Sequence, residues 1–243
     1  MSGVPIASRR LATTLVVWLA ATGCATRSPL LHQQCYDADA QLAHVLHEFE
    51  ELRAKGCSAG IARAGGSECD RLKADIAQLA VICPGHAPTL MANAVIAYDE
   101  HRPQESQQYL DLILSQPRPF PDAAVLRAQI ALEEGNVPFA RRLVDQQIML
   151  VPDHAGLHEV RAATFFVDRR LDDARAELTT AGALGAPRWR VAYHLGMIEE
   201  LSGHADDAAR LYIEALQGNP AFTAAESRLR ALRAGAPVAP IAP

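Results

Sequence analysis

Three series of residues recur along the chain at a spacing of 34 positions. Two of the series hold small residues, and the third holds larger apolar residues. Their members are Gly196, Ala162, Ala128 and Ala94; Ala208, Ala174, Ala140 and Ser106; and Tyr212, Leu178, Val144 and Leu110. Small residues repeated in this way allow two helices to cross closely, while the larger residues fill the space beside the crossing. The pattern therefore predicts a series of stacked helix pairs.

Two further helices are predicted before these series. Apolar residues from Tyr36 to Ala54 are spaced as on one face of a helix, and a second such pattern runs from Glu68 to Ile82. The residues expected to face inward from the second helix are Leu72, Ile76, Leu79 and Ala80. Glycine and small residues dominate the segment between the helices, which indicates a loop. We therefore expect a helical hairpin over residues 35–86.

The copy from Trp189 to Pro220 is the best preserved. It carries Leu195, Gly196, Gly203, Ala208, Tyr212, Ala215 and Pro220. These residues and their offsets resemble one tetratricopeptide repeat (TPR), a helix–turn–helix unit of about 34 residues. The resemblance implies an all-α fold, a right-handed TPR solenoid of antiparallel helix pairs. Ala192 and Glu199 replace the tryptophan and tyrosine usual in the motif, so this copy should pack more lightly.

The repeat register divides the chain into segments. The expected repeats are about 87–120, 121–154, 155–188 and 189–222, and the hairpin at 35–86 is expected to be a divergent first repeat. Residues 223–234 should form a capping helix, with Phe222, Ala225, Leu229 and Leu232 inward and Glu226, Arg228, Arg230 and Arg233 facing water. The run APVAPIAP cannot be helical, so residues 235–243 are expected to be a disordered tail.

Composition agrees with closely packed helices. Hydrophobic residues make up 49% of the 243-residue chain but aromatic residues only 5%, and much of the apolar share is alanine. A β-sandwich would use more β-branched and aromatic residues. The formal net charge is −5, and without residues 1–23, which carry Arg9 and Arg10, it is −7 because 21 basic residues remain against 28 acidic ones. This balance argues against a nucleic-acid partner.

The first residues predict export. Arg9–Arg10 precede an apolar run from Leu11 to Ala21 that is too short for an ordinary transmembrane helix. The following Thr22–Gly23–Cys24 completes a stretch that resembles a bacterial lipobox. That resemblance implies a signal peptide over 1–23, diacylation of Cys24, a flexible tether over 24–34 and an outer-membrane lipid anchor with the body facing the periplasm. The alternative is an ordinary secretory signal.

Four further cysteines remain in the exported chain. An even number of cysteines in an oxidising compartment favours disulfides. If the two predicted helices of the hairpin fold back on one another, Cys35 comes beside Cys83 and Cys57 comes beside Cys69. We therefore expect two nested bridges. A zinc site is the alternative, but the chain has no CxxC pair to favour it.

Motifs for catalysis are scarce in the sequence. No nucleophile elbow, P-loop or dinucleotide fingerprint is present, so we expect no enzyme activity and no cofactor. His154 and His158, with Glu159, have a spacing that can hold a metal, but they open a predicted helix, where polar residues commonly cap. The group His44, His47 and Glu48 is expected to be a solvated face, and Asp206 and Asp207 to favour a helix N-terminus. No metal site is predicted.

Surface shape is then the main candidate for function. In TPR proteins the first helices of successive repeats line a concave groove, and the resemblance assigns residues to it here. They are Met91, Val95, Tyr98 and Asp99; Val125, Gln129, Leu132 and Glu133; Glu159, Ala163 and Phe166; and Arg190, Tyr193, Met197 and Glu200. The fifth position of each repeat lacks the lysine of a carboxylate clamp. A floor that is mainly apolar suits a partner helix or an extended apolar segment. The alternative is that some of these residues pack against a neighbouring turn or the N-terminal hairpin.

The functional expectation is a protein–protein interaction scaffold or assembly factor of the bacterial envelope. Proteins of this general plan include secretin-assembly lipoproteins of type IV pili and TPR components of outer-membrane protein assembly. One alternative is a regulatory subunit that activates a periplasmic cell-wall enzyme. Another is an enzyme whose chemistry lies in the cysteine-rich hairpin.

Overall fold

The computed structural model describes Cys35, residues 37–54 and residues 67–234. Within these ranges the chain forms eleven helices and no strand. They are α1 (Ala38–Ala54), α2 (Glu68–Ile82), α3 (Ala87–Asp99), α4 (Pro103–Leu114), α5 (Pro121–Glu133), α6 (Val137–Leu150), α7 (Ala155–Val167), α8 (Leu171–Ala183), α9 (Arg188–Leu201), α10 (Ala205–Gly218) and α11 (Thr223–Arg233). The predicted signal peptide, Cys24, the tether, Cys57 and the predicted tail lie outside the described residues.

Local sequence accounts for where several helices begin. Helices α3, α4, α5 and α6 carry proline in their first two positions, where its missing N–H would have no helical partner. Helix α2 begins with a capping box. The N–H of Asp70 donates to the hydroxyl of Ser67 (3.2 Å), and the N–H of Ser67 donates to the carboxylate of Asp70 (2.8 Å). Two residues therefore set the start of α2.

The turn inside each pair takes the same backbone form. His101, Gly135, Arg169 and Gly203 have positive φ angles of 59°, 76°, 62° and 83°. In each turn the next residue donates its N–H to a carbonyl five residues back, as Arg102 does to Ala97 at 2.8 Å. This arrangement is the Schellman motif, in which a left-handed residue satisfies the last carbonyls of a helix. Glycine adopts this conformation without steric cost.

The three predicted series lie in the core, as expected from their sizes. Every alanine of the two small-residue series is at most 2% exposed, Gly196 is buried, and Ser106 is 0% exposed. The larger series is also at most 2% exposed. In the fourth repeat, a Cβ atom built on Gly196 would lie 2.7 Å from Cε1 of Tyr212. The small residues are therefore required by close helix crossing, and this prediction is confirmed.

Helices pack in chain order. The two helices of each pair lie against one another, and each pair lies against the next. Helix α5 also packs on α7, and α1 on α3, so the first helices of these neighbouring pairs meet. The result is a solenoid in which each unit contacts its neighbours, without a single central core.

A disulfide closes the open end of the hairpin. Cys35 and Cys83 are bonded, with their Cα atoms 5.5 Å apart, which confirms the outer of the two predicted bridges. Buried Leu42, Ile76 and Leu79 form the cluster beside it. Cys69 is 2% exposed and is also disulfide-bonded. Its predicted partner, Cys57, lies outside the described residues, so the inner pairing stays a prediction.

Helix α11 covers the C-terminal end of the array. Ala225 and Leu229 are buried against the fourth repeat, as the apolar stripe predicts. The prediction that Arg228 faces water is wrong. Its side chain is only 14% exposed and contacts Glu200 of α9, because the inner edge of α11 lies over a carboxylate. Among the described helices, none combines the length and the apolar character needed to cross a bilayer.

Candidate partner-binding groove

The first helices α3, α5, α7 and α9 carry the residues assigned to the groove. Besides Tyr98, six of these are apolar or aromatic and retain partial exposure, and we refer to the six as the apolar floor. They are Met91, Val95, Val125, Ala163, Phe166 and Tyr193. Val95 is 39% exposed, and the other five pack on one side against the buried clusters beneath them. The floor is thus a row of apolar side chains, five of them held by packing on one side, with the other side still open.

Two predicted groove residues lie deeper than expected. Leu132 is 5% exposed and packs among the alanines that join the second and third repeats. Met197 is 9% exposed and packs with Tyr212 and Leu229. Both side chains contribute to the interior of the array and offer little surface to a partner.

Polar contacts join each first helix to the first helix of the next pair, and we refer to them as the inter-repeat contacts. They are Asp39–His86, Tyr98–Glu133, Asp122–His154, Glu159–Arg190 and Glu200–Arg228. They link α1 to the N-cap of α3, α3 to α5, α5 to the N-cap of α7, α7 to α9, and α9 to α11. Most of the predicted charged groove residues are therefore engaged within the protein.

The contact between α3 and α5 brings two carboxylates close to one hydroxyl. Tyr98 donates its hydroxyl hydrogen bond to Glu133. Burial, the bond to Glu133 and the nearby charge of Asp99 raise the pKa of Tyr98 to about 12. Tyr98 is therefore neutral at physiological pH. Asp99 and Glu133 are both exposed.

The contact between α7 and α9 is a two-pronged ion pair. Arg190 donates from two nitrogens to the two carboxylate oxygens of Glu159, each at 2.7 Å. The Glu159 side chain is 9% exposed and that of Arg190 is 41% exposed. His194 lies beside this pair, and its burial lowers its pKa below the ordinary value, with Arg190 acting in the same direction and Glu159 against it. The charges at this part of the groove balance.

The contact between α9 and α11 buries Glu200. Its side chain is 8% exposed, and Arg228 lies 3.1 Å from both carboxylate oxygens. Tyr212 also donates a hydrogen bond to Glu200, and burial followed by this bond raises the pKa of Tyr212 above its usual range. The predicted surface at the C-terminal end of the groove is thus largely an internal network.

An aromatic cluster completes that end. The ring of Phe222 lies 5.0 Å from that of Trp189 and 4.7 Å from that of Tyr193, edge to face in both cases. Such arrangements contribute about 0.5–1.5 kcal/mol beyond burial. Tyr193 is therefore held in place, and only part of its ring remains available to a partner.

The histidines considered as metal ligands have structural partners. His154 lies 3.0 Å from Asp122, and His158 lies 2.8 Å from Glu177 and 2.9 Å from the carbonyl of Pro152. On the exposed face of α1, His44 lies 3.5 Å from Glu48. These contacts tie helices together or lie in solvent.

A third group, which the sequence did not suggest, joins Glu199, His204 and Asp207 at the start of α10. Their ligand atoms all lie within 4.8 Å of one another. However, Glu199 already accepts hydrogen bonds from His204 (2.8 Å) and Arg175 (2.9 Å), which lower its pKa. The positive end of a helix also disfavours a cation there. These hydrogen bonds account for the group, and Asp206 and Asp207 lie in the first turn of α10, where the helix dipole favours acidic side chains.

Paired antiparallel helices stacked in register, with small residues at each crossing, define a helical-repeat solenoid. No protein-family model matches the sequence, and no curated protein is similar to it in sequence. Solved structures do match. The chain is similar to a tetratricopeptide repeat protein from Parabacteroides merdae, with 16% identity, 84% of this chain and 76% of the other covered, and a TM-score of 0.63. It is also similar to a thermophilic TPR protein from Thermus thermophilus, with 18% identity, coverage of 79% and 99%, and a TM-score of 0.63.

A third similar structure is PilF of Pseudomonas aeruginosa, with 15% identity, 82% of each chain covered and a TM-score of 0.57. The chain therefore has the TPR fold, which confirms the fold expected from the spacing of small residues. At these identities the likeness concerns the fold alone.

Proposed function

We propose that this protein is a non-catalytic interaction scaffold or assembly factor. It binds a helix or an extended segment of a partner protein on the apolar floor. It is anchored by lipid on Cys24 in the outer membrane, where its body faces the periplasm. Binding of protein segments is a common use of such concave helical surfaces.

The observation that carries this proposal is the apolar floor itself. Six partly exposed apolar or aromatic residues follow one another over four successive first helices, and five of them are held from below by the core. Covering such residues removes apolar surface from water, which stabilises a complex by about 25 cal/mol per Å². Because five of these side chains already pack against the core, little of their conformational entropy is lost on binding.

Site-specific crosslinking in cells tests the groove. A photoreactive residue at Val95 or Phe166 should capture the same partner, since both positions belong to the floor. Met149, an apolar residue that is 78% exposed at the end of the second helix α6, is the matched control. Capture that is equal at Met149, or none at the floor in normally folded protein, overturns the proposal.

The identity of the captured partner separates the alternatives. A secretion or outer-membrane assembly component favours the assembly role, and a periplasmic cell-wall enzyme favours the regulatory one.

Anchoring requires its own measurement. Replacement of Cys24 by serine should abolish incorporation of labelled fatty acid and move the protein from the membrane fraction to the soluble periplasm. Unchanged fractionation of Cys24→Ser would contradict the lipid anchor without affecting the groove.

A further inference from the structure

The two halves of the groove differ in charge. In the half formed by α7 and α9, Glu159 is paired with Arg190, and farther along Glu200 is paired with Arg228. In the half formed by α3 and α5, Glu133 contacts Tyr98, whose neutral hydroxyl offers a hydrogen bond but no positive charge. Two carboxylates without a cationic partner, those of Glu133 and Asp99, therefore remain at one end of the apolar floor, while Asp122, at the opposite end of α5, contacts His154.

The two carboxylates lie next to the apolar floor. Tyr98 lies between them, because Glu133 accepts a hydrogen bond from its hydroxyl and Asp99 is the next residue in α3. Val95 lies one helical turn before Asp99 on the same helix and is 39% exposed. Both carboxylates are exposed to solvent, so a ligand lying on Val95 would reach them.

We infer that the partner segment is amphipathic and carries a lysine or arginine at the end that lies over α3 and α5. This inference rests on the proposed function and adds the chemistry and direction of the ligand. Its apolar residues lie along the floor from Val95 towards Phe166, and its basic end meets Asp99 and Glu133. The other end of the partner segment is neutral and lies over α7 and α9, where the charges are already balanced. Opposite charges placed in this way fix the register and orientation of a bound segment.

Three synthetic peptides test the inference. Each has about 18 residues, long enough for five helical turns, and the same leucine–alanine face. They carry two lysines, two glutamines or two glutamates at one end. Fluorescence anisotropy measures their binding to the full-length chain in nanodiscs of zwitterionic lipid, with empty nanodiscs as the blank. The lysine peptide should bind about tenfold more tightly than the glutamate peptide at low salt, and added salt should reduce the difference.

Charge variants locate the effect. In D99N/E133Q the preference for the lysine peptide over the glutamate peptide should fall to within about twofold. The matched control D111N/E134Q removes two charges on α4 and at the C-cap of α5, where Asp111 pairs with Arg127 and Glu134 with Gln107. It should keep the preference. Circular dichroism confirms that each variant is folded.

A floor variant distinguishes the two proposals. Ala163→Arg places a long charged side chain on the floor and should weaken all three peptides by at least about tenfold. If it does so while D99N/E133Q keeps the lysine preference, the inference about charge is wrong and groove binding stands. If no peptide binds, or Ala163→Arg has no effect on any of them, both proposals are overturned.

Discussion

Gly196 and Tyr212 meet in the fourth repeat with no space for a methyl group between them, because a Cβ atom at Gly196 would lie 2.7 Å from the tyrosine ring. Tyr212 is itself 0% exposed and cannot move aside without disturbing the core. In the third repeat the equivalent residues are Ala162 and Leu178, which share one buried cluster. The identity of the small residue therefore follows the shape of the residue opposite.

Gly196→Ala should destabilise the protein by about 1–2 kcal/mol, although alanine is the better helix former by about 1 kcal/mol. Urea unfolding followed by circular dichroism measures the change. The same substitution in a Tyr212→Leu background should be neutral or stabilising, because the pair then resembles that of the third repeat. Equal losses in both backgrounds would show that the contact with the ring is not the cause.

Arg169 occupies a left-handed position that glycine fills in two other repeats. Arg169→Gly should raise the free energy of unfolding by about 1 kcal/mol, since it removes the steric cost of that conformation. Gly135→Ala should lower it by a similar amount. Urea midpoints at constant slope measure both. A loss of stability in Arg169→Gly would mean that the arginine side chain contributes more than the backbone costs.

We expect a further effect on stability from the Glu159–Arg190 pair. Arg190→Ala leaves the mostly buried carboxylate of Glu159 without its partner, so we expect a loss of about 1–2 kcal/mol after allowance for the exposure of Arg190. Arg210, whose side chain is 77% exposed beside Asp207, is the control and should cost less than about 0.5 kcal/mol. A double-mutant cycle with Glu159→Gln isolates the coupling. Equal effects at both arginines would contradict the role assigned to burial.

His194 predicts a pH dependence. Because burial lowers its pKa in the folded chain, the unfolded chain binds a proton at a higher pH than the folded chain does. Its contribution to stability is complete above the unfolded value of about 6.5 and decreases as the pH falls towards the folded value. Unfolding curves between about pH 7.5 and 5.5 should therefore show a larger loss for the unmodified chain than for His194→Gln. Parallel pH profiles would rule out this origin.

The disulfide between Cys35 and Cys83 spans 48 positions of the chain. Loop-closure entropy for a ring of this size corresponds to about 4 kcal/mol. C35S/C83S should therefore melt at a lower temperature in the absence of reductant. Reductant should lower the melting temperature of the unmodified chain much more than that of the variant, because the variant has already lost this bridge.

The repeat architecture was predictable because small residues such as Ala162 and Ala174 are required wherever two helices cross, and their spacing is visible in one sequence. Depth within the groove was less predictable. Its position within the repeat assigns Leu132 to the groove face of a first helix, but the neighbouring repeat determines how much of the side chain is covered. For the same reason Arg228 is expected in solvent on an isolated helix, whereas the fold brings it to Glu200.

The inter-repeat contacts were also missed, although opposite charges at Glu159 and Arg190 stand 31 positions apart, close to one repeat. The charge difference between the two ends of the groove becomes visible only when these partners are known. Sequence therefore indicated the helices that form the floor, and the structure showed which charges remain on it.

The inter-repeat contacts have a mechanical consequence. Each of them sets the small rotation between one pair of helices and the next, and in a solenoid such rotations add along the array. A small change of angle at a contact such as Glu159–Arg190 therefore moves all of the helices beyond it. If the contact loosens by a few degrees, the capping helix swings through a displacement that grows with its distance from that contact. The distance between the disulfide-bonded hairpin and α11 therefore depends on all of the inter-repeat contacts together. A partner that binds at both ends would be sensitive to the sum of these rotations.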